Sequence, residues 1–113
     1  MHELSIVMSI VEMAEEKVKE NHATSVESID LVIGDLAGVD RQALEFAWYS
    51  AVENTVLQMA KKNIIHVPAK AKCLECDCEF EIKELYDSCP LCAEPLLQIV
   101  QGKELQIKSM VLN

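Results

Sequence analysis

The residues with the clearest chemistry are four cysteines. Two Cys-x-x-Cys pairs, Cys73/Cys76 and Cys89/Cys92, are separated by twelve residues. In each pair the two-residue gap lets the chain fold back so that both sulfurs can meet one ion. Four thiolates suit a tetrahedral Zn(II) at Zn–S distances of about 2.3 Å. A pair of disulfides, free thiols or a four-thiolate iron site would use the same residues. A completed tetrahedral sphere has no vacancy, so the expected role is structural. Cys78 is a fifth cysteine, two residues past Cys76. It is expected on a hairpin strand pointing away from the metal, a spare thiol rather than an exchanging ligand. Zinc knuckles often carry glycine directly after the second cysteine, where φ is positive. Here those positions hold Asp77 and Ala93. Aspartate tolerates that region better than alanine, so Ala93 should carry about 1 kcal/mol of strain if the turn is kept.

The other end of the chain begins Met1-His2-Glu3. An α-amine, the backbone nitrogen of His2 and the His2 imidazole can chelate one square-planar ion in fused rings. Glu3 can add a fourth donor through its backbone nitrogen or its carboxylate. Nitrogen-rich square-planar coordination points to Ni(II) or Cu(II) rather than Zn(II). By chemistry alone, a histidine at position 2 is more often an accident of sequence. No nucleophile–base constellation is present, so no catalysis is expected.

Composition narrows the classes. The chain has 113 residues and a formal charge of −9, with 19 acidic against 10 basic residues. Arg41 is the one arginine, and Lys70 with Lys72 is the largest basic cluster. A phosphate backbone demands clustered lysine and arginine, so no nucleic-acid partner is expected. No apolar run is long enough for a bilayer and the start lacks a basic signal-peptide region, so a cytoplasmic protein without membrane contact is expected. In a reducing cytosol, paired Cys-x-x-Cys motifs are metal sites more often than disulfides.

The elements that must position these residues follow from periodicity. Leu4, Val7, Val11, Ala14 and Val18 recur at helical spacing, with Ile6, Ile10 and Met13 widening the stripe, and predict a helix over 4–21. Asn21 is expected to end it in the left-handed region. Val26–Ile33 reads as a strand, with Ile29, Leu31 and Ile33 alternating against Ser28, Asp30 and Val32. Gly34 and Gly38 bracket a turn. Asp40 is the expected N-cap of a second helix that buries Leu44, Ala47, Trp48 and Ala51. A second strand is expected near Ile64–Val67. Pro68 to Lys72 then reads as a linker into the cysteine module, and Leu96 to Val100 as a linker out. A last strand alternates Leu105, Ile107, Ser109 and Val111. The expected fold class is α+β in two layers, a small three-stranded sheet with two helices on one face, plus an inserted zinc-ribbon module. The expected domains are 1–68 with 102–113, and 69–101. The module is too small to fold without its metal.

Five segments, MHELSIVMSIVEMAEE, VESIDLVIGDLAGVDRQALEFAW, VPAKAKC, CPLC and QGKELQIKSM, resemble the HypA/HybF hydrogenase nickel-incorporation family in that family's order. The resemblance covers nearly the whole chain. It implies a nickel metallochaperone, not an enzyme, with Ni(II) as transferred cargo on Met1, His2 and Glu3. It implies structural Zn(II) on Cys73, Cys76, Cys89 and Cys92. It also implies a HypB-type GTPase partner and the NiFe hydrogenase large subunit as client, with urease maturation proteins as a further partner class. A monomer or weak homodimer is expected, with the apolar start around Leu4 and Ile6 as one surface for docking. The rival readings are a rubredoxin-like redox protein and a zinc-ribbon protein-interaction module.

Overall fold

The structure, a computed structural model, describes residues 2–113, and Met1 lies outside the described residues. Eight elements run in the order α1 (Glu3–Glu20), β1 (Val26–Gly34), α2 (Arg41–Ala51), β2 (Lys61–Val67), β3 (Lys70–Cys73), β4 (Glu79–Glu81), β5 (Leu97–Gln101) and β6 (Leu105–Leu112). They make one three-stranded sheet ordered β2-β1-β6 and a second ordered β4-β3-β5. This is the α+β class expected. The chain divides into two compact units. The first is Met1–Leu31, Val39–Ile64 and Ile107–Asn113, and the second is Val32–Gly38 with Ile65–Gln106.

In the first unit α1 packs on α2. The buried stripe of α1 is Val7, Ile10, Ala14 and Val18. It is narrower than the periodicity suggests, because Leu4 and Met13 at its margins stay about half exposed. The end of α1 also differs from expectation. Asn21 has φ −98°, and the left-handed residue is His22 at φ +53°. The Ala23 N–H donates to Val18 O (2.9 Å) and the His22 N–H to Lys19 O (3.3 Å). That pair of bonds is a Schellman end, whose left-handed position falls one residue beyond the cap. Asn21 serves differently, donating from Nδ2 to Lys17 O at 2.8 Å. Asp40 is the N-cap of α2, its Oδ1 accepting from the Ala43 N–H at 3.1 Å. Leu44, Ala47 and Trp48 are buried as α2 turns them inward. Lys62 sits 5.5 Å from the Trp48 ring centroid and pairs with Glu45.

Ile29 and Leu31 of β1 are buried in this core. Asp30, on the alternate face, ties three strands together. It accepts from Asn63 Nδ2 of β2 (2.9 Å) and from Ser109 Oγ of β6 (3.0 Å). These two bonds hold its carboxyl below the ordinary range, with a smaller pull from Lys108. On β6 the simple alternation fails. Ile107, Met110 and Leu112 are the half-buried residues, and Val111 is exposed. The phase of the strand changes between Ile107 and Met110, which period-two counting cannot register.

In the second unit, residues read as linkers turn out to be strands. Lys70–Cys73 is the central strand of the second sheet, paired antiparallel with β4 and β5. The core here is Ala69, Ala71 and Ile82, with Leu36, Phe80, Leu97 and Ile99 packed against it. Alternating small and charged residues, Lys-Ala-Lys, gave β3 little strand propensity of its own. Its lysines face carboxylates across the ladder, Lys70 opposite Glu81 and Lys72 opposite Glu79, and such opposite-charge pairs stabilise a sheet.

Two glycines make the backbone crossing in this unit possible. A Cβ on Gly34 would lie 2.1 Å from Gly102 O. Gly102 has φ +119°, and a Cβ there would lie 2.7 Å from Ala69 Cα. The close approach lets Leu36 N–H reach Gly102 O at 2.7 Å and Gly34 N–H reach Glu104 O at 2.8 Å.

Candidate metal centres

The cysteine cluster is built by two turns of one kind. The Asp77 N–H donates to Cys73 O (3.0 Å) and the Ala93 N–H donates to Cys89 O (2.8 Å). Each bond closes a knuckle, and the positive φ of the residue after the second cysteine turns the chain back so that the Cys73 N–H reaches Cys78 O (2.9 Å) and the Cys89 N–H reaches Glu94 O (3.1 Å). Asp77 has φ +61° and Ala93 +60°, so the turn expected of glycine is made without it. The Leu74 N–H donates to Leu96 O (3.1 Å), which ties the first knuckle to its neighbour.

These turns bring all four sulfurs within 4.8 Å of one another. The Sγ atoms of Cys73 and Cys92 are 3.5 Å apart, those of Cys76 and Cys89 are 3.7 Å apart, and those of Cys92 and Cys76 are 3.9 Å apart. A tetrahedron with arms of about 2.3 Å has edges of about 3.8 Å, so the spacing is that of one four-thiolate ion site. It is far from a disulfide S–S length of about 2.05 Å, and all five cysteines are free. Cys73 and Cys89 are buried, while Cys76 and Cys92 are exposed.

The protonation pattern also fits a cation. Burial pushes the Cys89 thiol up, but the N–H groups of Cys92 and Leu91 and the neighbouring sulfurs of Cys76 and Cys92 bring it down to about 7. For Cys92 the Glu94 N–H pulls down. The Cys73 sulfur, desolvation and the remaining sulfurs outweigh that pull and push it to about 12. Cys76 is also raised. The Cys78 N–H pulls it down, and desolvation with the sulfurs of Cys73 and Cys89 overcomes that pull. Each new thiolate therefore forms against those already charged. A dication at the centre removes that penalty, and the donor set fits zinc. Cys78 stands outside the cluster, its Sγ directed to Glu79 O at 3.6 Å.

At the other candidate centre, Met1 lies outside the described residues. His2 is the exposed N-cap of α1, with φ −85° and ψ 91° and no side-chain capping bond. Its carbonyl accepts from the Ile6 N–H at 3.3 Å. Glu3 opens the helix, and its Oε2 accepts from the Asp40 N–H at 3.1 Å. This bond was invisible in the sequence. Asp40 is 37 residues from Glu3, and nothing local marks it as more than a helix cap.

Fold and site together define a small α+β metal-binding protein with a four-cysteine cluster. No described helix is long and apolar enough to cross a membrane. The family described as "Hydrogenase/urease nickel incorporation, metallochaperone, hypA" matches residues 1–112. The chain is 41% identical to the hydrogenase maturation factor HypA of Parabacteroides distasonis, over all of this chain and 98% of that one. It is 42% identical to the HypA of Francisella philomiragia, over the whole of both chains. Among solved structures it resembles the solution structure of the nickel metallochaperone HypA from Helicobacter pylori, with TM-score 0.68 and 27% identity over 99% of this chain and 97% of that one. A second solution structure of a HypA protein matches with TM-score 0.71 and 28% identity over 100% and 97%.

The chain belongs to the HypA family of hydrogenase and urease nickel-incorporation metallochaperones. It is a metallochaperone rather than an enzyme, and its work belongs to hydrogenase maturation. Nickel is the metal that the family handles, and the four-cysteine cluster fits a structural zinc.

Proposed function

We propose that this protein carries Ni(II) on Met1, His2 and Glu3 and delivers it to the large subunit of a NiFe hydrogenase. It does so in the cytoplasm and with a HypB-type GTPase. Residues 69–101 form a zinc-ribbon domain in which Cys73, Cys76, Cys89 and Cys92 hold Zn(II). Residues 1–68 with 102–113 form the nickel domain. The observation that carries the nickel assignment is the setting of His2 and Glu3 at the first turn of α1. The first N–H groups of a helix have no intrahelical acceptor. A metal can therefore take the backbone nitrogens of His2 and Glu3 without breaking a helical bond. The exposed His2 imidazole has no capping duty, so it too is free to bind. Such donors can be exchanged one at a time with those of an acceptor protein, which suits transfer. The four-thiolate sphere, by contrast, has no open position.

The test is nickel titration of the zinc-loaded protein with Met1 as its first residue, followed by absorption and calorimetry. The wild type should bind one Ni(II) with a square-planar spectrum. His2→Ala should lose this binding while zinc content and helicity stay unchanged. An unaltered nickel titration in His2→Ala would sink the assignment. The native terminus matters because one added leading residue makes His2 the third residue, itself a good amine–imidazole chelate.

A further inference from the structure

The second unit spends its apolar residues in two ways. Ala69, Ala71 and Ile82 are buried with Phe80, Leu97 and Ile99 around them. Three leucines of the cysteine knuckles are left outside that core. Leu74 is 55% exposed, Leu91 75% and Leu96 58%. All three belong to the segments that build one cysteine cluster. Leu74 and Leu91 each sit within a Cys-x-x-Cys turn, and the two turns share one cluster of sulfurs. The Leu74 N–H donates to Leu96 O at 3.1 Å. The exposed ligand residues Cys76 and Cys92 lie on the same knuckles. Exposed apolar side chains gathered about one site are often functional.

The net charge of this module is negative. From Lys70 to Leu97 there are seven carboxylates and three lysines; Lys70 and Lys72 lie opposite Glu81 and Glu79, which leaves four carboxylates in excess. Glu75, Glu79, Glu81 and Glu84 are exposed. Four thiolates around a dication add further negative charge. Covering the patch with a neutral or acidic surface would bring that excess of negative charge into a drier medium with too few cations to match it. The same repulsion disfavours a second copy of this chain, whose corresponding module carries the same charge. Lysine and arginine match both features, since their aliphatic stems cover apolar surface while their heads stay at the rim.

We infer that the knuckle face of Leu74, Leu91 and Leu96 is a docking surface for a protein segment that combines aliphatic with lysine or arginine side chains. The inference rests on the zinc reading for the shape of the knuckles.

The experiment uses the full zinc-loaded chain and a short peptide alternating leucine and lysine, with a leucine–glutamate peptide as its counterpart. Calorimetry should show binding of the basic peptide that weakens with added salt, and no binding of the acidic one. Amide shifts should move around Leu74–Cys76 and Leu91–Leu96. The pair Leu74→Ser with Leu91→Ser should weaken binding about tenfold or more, whereas Phe46→Ser, an 80% exposed aromatic of α2, should not. Equal affinity in the double variant, binding of the acidic peptide, shifts centred on α2, or self-association by sedimentation that the double variant abolishes would each overturn the inference. Zinc is measured in every sample. Wild type without one zinc per chain defeats the zinc reading, while zinc-loaded wild type that ignores the peptide defeats the docking surface. If the double variant loses its metal, Glu75→Lys carries the test, with weaker peptide binding expected at full zinc and unchanged binding counting against the inference.

Discussion

Replacing Ala93 by glycine should make the cysteine cluster hold its zinc more tightly, although the change touches no ligand. Ala93 is held at φ +60° between two knuckle bonds, its own N–H to Cys89 O at 2.8 Å and the Cys89 N–H to Glu94 O at 3.1 Å, the second of which spans its φ. The left-handed conformation costs an L-residue about 1–2 kcal/mol. Glycine removes that cost but loses about 0.4–1 kcal/mol by widening the unfolded ensemble. The net gain should be about 0.5–1 kcal/mol, or about two- to fivefold in metal retention. It shows in metal binding because a module this small folds with its metal, so native strain subtracts from zinc affinity. Asp77 stands at the matching position with φ +61°. Asp77→Gly should gain less, because aspartate already tolerates this region, and it forfeits the 3.7 Å ion pair with Lys72. Ala93→Val should move the other way, since a β-branched residue is a genuine outlier at positive φ. The assay is competition for zinc against a chromophoric chelator, read as the chelator concentration at half removal. The reasoning fails if Ala93→Gly gives up zinc more readily than wild type, or if Ala93→Val matches it.

Three other outcomes follow from the geometry. Gly34→Ala puts a Cβ 2.1 Å from Gly102 O, so the backbone must shift; a loss of about 3 kcal/mol is expected, and a thermal midpoint within a few degrees of wild type would contradict the crossing. Asn63→Ala removes the largest influence lowering the Asp30 carboxyl. A carboxylate with a lowered folded pKa stabilises the fold above its unfolded value, here 3.8, and that contribution disappears as pH falls through the folded value. The variant's Asp30 should therefore titrate closer to 3.8 by carboxyl NMR, and acid unfolding should begin at higher pH. Glu3→Gln keeps an oxygen to accept from the Asp40 N–H, so α1 should be unchanged by circular dichroism. It removes the carboxylate charge, and nickel affinity should fall about tenfold; full nickel affinity would place the fourth donor on the Glu3 backbone instead.

Much of the fold was legible because it rests on local patterns. The α1 stripe, the Asp40 cap and the buried Trp48 were read from residue type and period. The misreadings have physical causes. At the end of α1, residue type favours asparagine for the left-handed position, but the Schellman bonds put His22 there. Lys70-Ala71-Lys72 has little strand propensity, so sequence alone marks β3 as a linker. Pairing with β4 and β5 made it the middle of a sheet. Period-two counting on β6 assumed one phase along the whole strand.

By itself, the sequence determined the chemistry available: two Cys-x-x-Cys pairs for one four-thiolate ion, a histidine at position 2 that the family resemblance turns into a nickel-ligand proposal, and that resemblance along nearly the whole chain. These depend on spacings of one to three residues, within which covalent geometry decides what can meet. Only the tertiary structure decided how twelve intervening residues bring four sulfurs to tetrahedral spacing, and that Asp77 and Ala93 accept the knuckle's positive φ. It alone tied Glu3 to the N–H of Asp40. The meeting of the two knuckles and the Glu3–Asp40 bond join residues 13 and 37 apart, and their positions follow from the packing of whole elements.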